Sequence, residues 1–220
     1  MPVPAEAPFH PELVVHEDAH LLALDKPAGL LAVPGRGEDK ADCLSARAQR
    51  RWPDALVVHR LDQATSGLML LARGPQAQRA LGAAFAGRRV HKRYEALVHG
   101  RPAPPASADG WGEIDLPLIL DWPNRPLSKV DHALGKPSLT RWRPLGWDAV
   151  TGTTRLALEP VTGRSHQLRV HLQAIGHPIV GDLLYGLRDA APQLMLHACA
   201  LRLAHPVTGQ TLALESPAPF

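Results

Sequence analysis

Apolar and polar residues alternate along this chain in short blocks, with few of the long 3.6-residue periodicities that mark extended helices. Leu13-Val14-Val15 and Leu21-Leu22-Ala23-Leu24 flank a polar His16-Glu17-Asp18 segment and predict a hairpin over residues 12–25. Lys26-Pro27-Ala28-Gly29 and Pro34-Gly35-Arg36-Gly37 carry turn chemistry. Asp42 is placed to cap a short basic helix reaching about Trp52, where Pro53 stops it. Leu56-Val57-Val58 predicts a strand running into His59-Arg60-Leu61-Asp62, and Gly67-Leu68-Met69-Leu70-Leu71 predicts the next. Pro75 suits the first turn of a helix that carries Leu81 and Phe85 on one face and ends at Gly87.

Further on, Tyr94–Val98 and Thr154–Leu158 read as strands, and Arg101–Gly112 reads as a loop. Gly163-Arg164-Ser165 turns into a helix with Leu168, Leu172 and Ile175 on one face and Ser165 as its expected cap. Leu194–Leu203 and Leu212–Leu214 close the chain as strands. Strands outnumber helices and do not alternate with them regularly. The pattern therefore predicts an α+β protein built on a mixed, largely antiparallel β-sheet core with flanking short helices, not a doubly wound parallel sheet. Residues 1–11 are expected to be a loose tail and 12–220 a single domain.

Composition narrows the classes. With 45% hydrophobic residues over 220 positions, there is enough apolar material for a core, which excludes a disordered chain. Two cysteines, Cys43 and Cys199, form no C-x-x-C pair and no disulfide framework. The first residues lack the basic and apolar regions of a signal peptide, and no apolar run reaches the ~18 residues of a transmembrane helix. A cytoplasmic protein with no membrane association is expected. Prolines number 22, which favours strands, short helices and shaped loops.

The net charge of +3 hides an uneven distribution. Residues 36–101 hold 13 Arg/Lys and 6 Asp/Glu, a net of +7, which leaves −4 for the rest. A basic central third suits a polyanion-facing surface, and equally an ordinary solvated face of an arginine-rich chain.

Three segments carry candidate chemistry. His16-Glu17-Asp18-Ala19-His20 matches the H-E-x-x-H zinc pattern, which works only when both histidines share a helix face. Between two strand-like runs the imidazoles would not converge, so no metal site is expected. His166, His171 and His177 lack thiolate or carboxylate companions and read as core and surface histidines.

In His59–Gly67 a carboxylate, Asp62, follows an apolar strand and precedes a Thr-Ser-Gly turn. It serves either as a turn cap or as a reactive group held on rigid scaffold. Arg60, two residues away, would share its face in a strand, placing positive charge beside the carboxylate and toward any phosphate-bearing partner. In Thr162–Arg169 a guanidinium, Arg164, stands at a helix start against the macrodipole. It is either a tolerated surface residue or one with an anionic partner.

Taken in order, Asp25–Leu30, His59–Gly67 (HRLDQATSG), Lys92-Arg93-Tyr94, Thr162–Leu172 (TGRSHQLRVHL), Gly176–Gly186 (GHPIVGDLLYG) and Leu196-His197-Ala198 resemble the RluA-type pseudouridine synthases over nearly the whole chain. The segment Leu116–Pro126 resembles the branch that modifies both 23S ribosomal RNA and transfer RNA. The resemblance implies the pseudouridine synthase fold, and isomerisation of uridine in structured RNA, as rRNA and tRNA stem-loops. It implies no cofactor, no metal and no obligate protein partner.

It also implies site residues. Asp62 corresponds to the catalytic aspartate, Tyr94 to the tyrosine packed on the target uracil, and Arg164 to the basic residue that pairs with the aspartate. Arg60 corresponds to the arginine that enters the RNA stack, and His59, Thr65 and Leu196 to further substrate-binding positions. The N-terminal RNA-binding module of larger members is not expected. Asp25 departs from the family's asparagine, and the loops Arg101–Gly112, Leu127–Lys136 and Leu187–Gln193 show no match. The rival readings are an RNA-binding or folding-chaperone module without catalysis, and a synthase restricted to one rRNA or tRNA site.

Overall fold

A computed structural model of the chain describes residues 9–37, 40–187, 189 and 191–220, so most of the expected tail lies outside the described residues. In chain order come β1 (Val14–Glu17), β2 (Leu21–Lys26), α1 (Leu44–Arg51), β3 (Ala55–Val57), β4 (Ser66–Arg73) and α2 (Gly74–Ala86). There follow β5 (His91–His99), β6 (Gly112–Asp115), β7 (Leu118–Leu120), β8 (Ser128–Val130), β9 (Leu139–Asp148) and β10 (Thr153–Pro160). The chain ends with α3 (Gln167–Ala174), β11 (Leu196–Ala204) and β12 (Thr211–Glu215). It divides into two compact units. The first holds residues up to His91 and Ala198–Ala218, the second Lys92–His197 with Pro219 and Phe220.

In the first unit the sheet order is β1-β2-β4-β11, with β3 also on β4 and β12 on β11. β4 is buried on both faces, which explains its unbroken apolar run. Leu68, Leu70 and Ala72 meet Leu21 and Ala23 of β2, Leu201 and Leu203 of β11, and Ala77 and Leu81 of α2 in one cluster. The hairpin turn falls later than expected. His16 and Glu17 belong to β1, and the turn begins at Asp18, whose carboxylate accepts from the amides of His20 and Leu21.

Helix α1 is capped by Cys43 and not by Asp42. Leu31 and Cys43 form a parallel bridge that holds Cys43 extended, and its Sγ accepts from the Ala46 amide at 3.4 Å. Asp42 instead makes a two-point ion pair with Arg47, at 2.7 and 2.6 Å.

In the second unit β5, β10, β9 and β6 pair antiparallel in that order, and β7 and β8 form a separate hairpin. Leu118, Leu127 and Val130 of that hairpin pack on Val170 of α3 and on Tyr185. The α+β class and largely antiparallel sheet are as the sequence implies.

Candidate active site

The segment expected to extend a strand into Asp62 does not do so. β3 ends at Val57, and residues 58–65 are irregular, so the same-face relation of Arg60 and Asp62 does not apply. What replaces it is a loop tied at several points to the first unit's sheet. The Thr65 amide donates to the Asp62 carbonyl at 3.1 Å, closing a turn around the carboxylate-bearing residue, and Thr65 itself is buried. Gly67 has φ +106, and a Cβ there would collide with the Ala198 backbone, so Thr-Ser-Gly requires its glycine. The Gly29 amide donates to the Gln63 carbonyl at 2.9 Å, and the Gln63 side chain returns a bond to the Gly29 carbonyl at 3.0 Å.

Beneath this loop lies Lys26, with no exposed surface. Its Nζ donates to the carbonyls of Pro27 and Leu30, both at 2.8 Å, and of Gln63 at 3.0 Å. Three carbonyls use all three ammonium protons. Burial pulls its pKa down to about 8, while the charges of Asp62 and Asp25 act in the opposite sense. Asp25, where the family's asparagine was expected, accepts from the Ser216 hydroxyl at 2.6 Å.

His59 is held as firmly. Its Nε2 accepts from the Leu70 amide at 2.8 Å, and its ring stacks on Phe85 at 4.3 Å. Arg60 is exposed and Asp62 half-buried.

The H-E-x-x-H segment is engaged elsewhere. His16 Nε2 lies 2.8 Å from Asp18, Glu17 accepts from Trp52 Nε1 at 2.7 Å, and His20 packs edge-on against His205. Burial opposes the charge of Asp18, yet bonds from His16, the His20 and Leu21 amides and His205 hold its carboxyl well below the usual range.

In the second unit Tyr94 lies on β5 opposite Leu158 of β10, and Leu196 is buried at the start of β11. Helix α3 starts at Gln167, so Arg164 stands before the first turn and the expected conflict with the dipole does not arise. The cap is His166, in the left-handed region at φ 55, and not Ser165. His166 Nδ1 lies 2.7 Å from the Tyr185 hydroxyl.

Gln167 organises this turn. Its buried Oε1 accepts from the Arg164 amide at 3.0 Å and from the Thr162 hydroxyl at 2.7 Å. Its Nε2 donates to Leu139 O and Thr140 Oγ1, both at 3.0 Å. The Arg164 guanidinium approaches the Pro137 carbonyl at 3.4 Å, and the Lys92 ammonium lies 3.8 Å from where a Gly163 Cβ would be.

Residues 20–174 match the RNA pseudouridylate synthase family model. The chain belongs to this family. It is 46% identical over 217 residues to the dual-specificity RNA pseudouridine synthase RluA of Escherichia coli K12, covering 97% of this chain and 96% of that one. The enzyme of the same name from Vibrio vulnificus is 47% identical over 213 residues, covering 94% and 83%. Among solved structures, human RNA pseudouridylate synthase domain containing 1 superposes with a TM-score of 0.74 at 30% identity, covering 94% of this chain and 83% of that one.

For a pseudouridylate synthase of this family, sequence reasoning overlooked Lys26 and Gln167 as supports of the two motif loops. Gln167 had no local signal, since a glutamine at a helix start normally reads as solvated. Lys26 had none, because a lysine in a turn normally reads as solvated.

Proposed function

We propose that this synthase converts uridine to pseudouridine in structured RNA, with Asp62 as its catalytic carboxylate. The reaction breaks the C1′–N1 bond, forms C1′–C5, places a proton on N1 and releases the proton of C5. It is redox-neutral and consumes no second reactant, so a positioned carboxylate suffices and no cofactor is required. The observation that carries this reading is the fixation of the Asp62 loop, by Lys26 on Gln63 and by the turn from Thr65, inside the motif the family resemblance assigns to catalysis.

Tyr94 is the aromatic partner of the target uracil, and Arg164 the basic residue of the same reaction. A paired or stacked uridine is out of reach until it is flipped out, at a cost of a few kcal/mol. Stacking on an aromatic ring recovers about 1–3 kcal/mol. Arg60, exposed beside Asp62 in sequence, occupies the vacated place in the RNA stack, while Thr65 and Leu196 shape the substrate-binding surface. His59 supports that surface through its Leu70 and Phe85 contacts.

The substrates are two classes of stem-loop, in 23S rRNA and in the tRNA anticodon arm. The dual-specificity relatives, 46–47% identical over nearly the full chain, support this choice. These substrates place the enzyme in the cytoplasm; among the described residues no helix is long and apolar enough to cross a membrane. The test is tritium release from 5-tritiated uridine in transcripts of both hairpins, with pseudouridine mapping in RNA from a strain lacking the gene. Release from both transcripts supports the proposal, release from one restricts it to a single RNA class, and release from neither overturns it.

A further inference from the structure

The hairpin of β7 and β8 ends in a tip that no part of the reaction above uses. Its backbone is closed at each step: Asp121 N–H donates to Leu127 O at 2.8 Å, Asn124 N–H to Asp121 O at 3.0 Å, and Leu127 N–H to Asn124 O at 3.0 Å. The Asn124 side chain donates to the Asp121 carboxylate at 2.9 Å, and Lys129 lies 3.8 Å from the same carboxylate. The base is equally fixed, with Leu118, Leu127 and Val130 packed on Val170 and Tyr185, and the Ser128 amide donating to the Tyr185 hydroxyl at 2.7 Å. A rigid stalk therefore carries whatever the tip displays.

It displays Trp122, 65% exposed, with the guanidinium of Arg125 lying 3.2 Å from its ring centroid. A large indole left in water forgoes the burial that normally justifies it. The guanidinium lies over one face of the ring, and most of the indole stays exposed to solvent. The Asp121 carboxylate is engaged within the tip by Asn124 and Lys129, so Arg125 supplies the cation at the exposed end.

An aromatic plane backed by a guanidinium, on a rigid support, is the arrangement on which unpaired bases of RNA loops stack while a cation meets the phosphates. A helical duplex offers no free base face to such a platform. We infer that Trp122 and Arg125 form an RNA contact at the hairpin tip, which stacks an unpaired base of the substrate loop and so selects stem-loops over continuous duplex. This rests on the reading of the protein as an RNA-modifying synthase and names a further part of its RNA-binding surface.

The test is equilibrium binding, which does not depend on turnover. The intact protein and its Trp122→Ala, Trp122→Phe and Arg125→Ala variants are titrated against a fluorescein-labelled anticodon-type stem-loop and a fully paired RNA duplex of equal length. Unfolding midpoints are measured alongside. Base stacking worth ~1–3 kcal/mol corresponds to about a 5- to 150-fold loss of stem-loop affinity in Trp122→Ala. Trp122→Phe should restore most of that loss, Arg125→Ala should show a smaller loss, and duplex affinity should change less than about twofold.

Unchanged stem-loop affinity, or an equal loss on both RNAs, overturns the inference. An effect of Trp122→Ala confined to capture of a protein partner overturns it as well. If the protein binds stem-loops through Trp122 yet releases no tritium, the synthase reading fails while the contact stands.

Discussion

Lys26 donates from Nζ to the carbonyl oxygen of Gln63 at 3.0 Å, one residue beyond Asp62. This bond links the end of β2 to the loop that carries the proposed catalytic carboxylate. Its donor is a fully buried ammonium whose other two protons are also spent on carbonyls.

The pH dependence of this group follows from the direction of its shift. The folded pKa is about 8, below the ordinary value of 10.5, so the unfolded chain binds more protons between those two pH values. Burial of the charged form therefore costs stability below pH 8, and that cost is relieved as pH rises towards 10.5. In urea unfolding, wild type should gain stability relative to Lys26→Met between pH 7.5 and 10, on the order of 1–3 kcal/mol. A difference that stays flat across this range contradicts the assignment.

His171 titrates with the same sign in a different window. Burial depresses its pKa, against a bond to the Leu116 carbonyl and the charge of Asp115. Its Nε2 lies 3.0 Å from that carbonyl and its Nδ1 2.9 Å from Thr140 Oγ1, which already receives a bond from Gln167. The neutral ring thus donates at Nε2 and accepts at Nδ1. Below about pH 6.5 the unfolded chain takes up a proton that the folded chain resists. Wild type should lose stability from pH 7.5 to 5 more steeply than His171→Gln, as measured by denaturant midpoints.

Arg169 and Asp182 make a buried two-point pair at 2.8 and 2.6 Å, and Asp182 also accepts from the Leu184 and Tyr185 amides. Asp182→Asn removes the carboxylate charge from this buried pair. A loss of about 3–5 kcal/mol is expected, and Arg169→Met combined with Asp182→Leu should recover part of it. Denaturant unfolding of the two variants checks both statements.

Arg60→Ala should weaken stem-loop binding and lower the slope of log affinity against log salt by about 0.7–0.9, the release of one counterion. Filter binding over a salt series reads this directly. An unchanged slope removes Arg60 from the phosphate contacts.

The parts of the fold that were legible in the sequence share one physical feature. β2, β4, β5 and β10 carry concentrated apolar runs, and α2 is bracketed by Pro75 and Gly87. β7 and β8 are only three residues long, too short for an alternation to register, and β8 falls in the unmatched Leu127–Lys136 loop. β9 contains Pro144 and Gly146 and is exposed over its second half, so it reads as punctuation; a register shift opposite Pro144 accommodates the proline.

The site divides in the same way. Asp62 stood out as a carboxylate after an apolar strand and Arg164 as a guanidinium at a helix start, whereas Tyr94 came only from the resemblance of Lys92-Arg93-Tyr94 to the family. The supports, Lys26 and Gln167, are ordinary polar residues whose importance comes from burial, which no local pattern announces. Asp42 and Ser165 look like better caps than Cys43 and His166, and were displaced by contacts distant in sequence: the Leu31 bridge to Cys43 and the Tyr185 hydroxyl at His166.

The central claim is that Asp62 performs the isomerisation. The decisive measurement is single-turnover tritium release from a 5-tritiated stem-loop by Asp62→Asn, with RNA affinity and unfolding midpoint measured on the same preparation. The account predicts a rate lower by at least about a thousandfold, a loss far larger than any change in RNA affinity. Tritium release at close to the wild-type rate would contradict it.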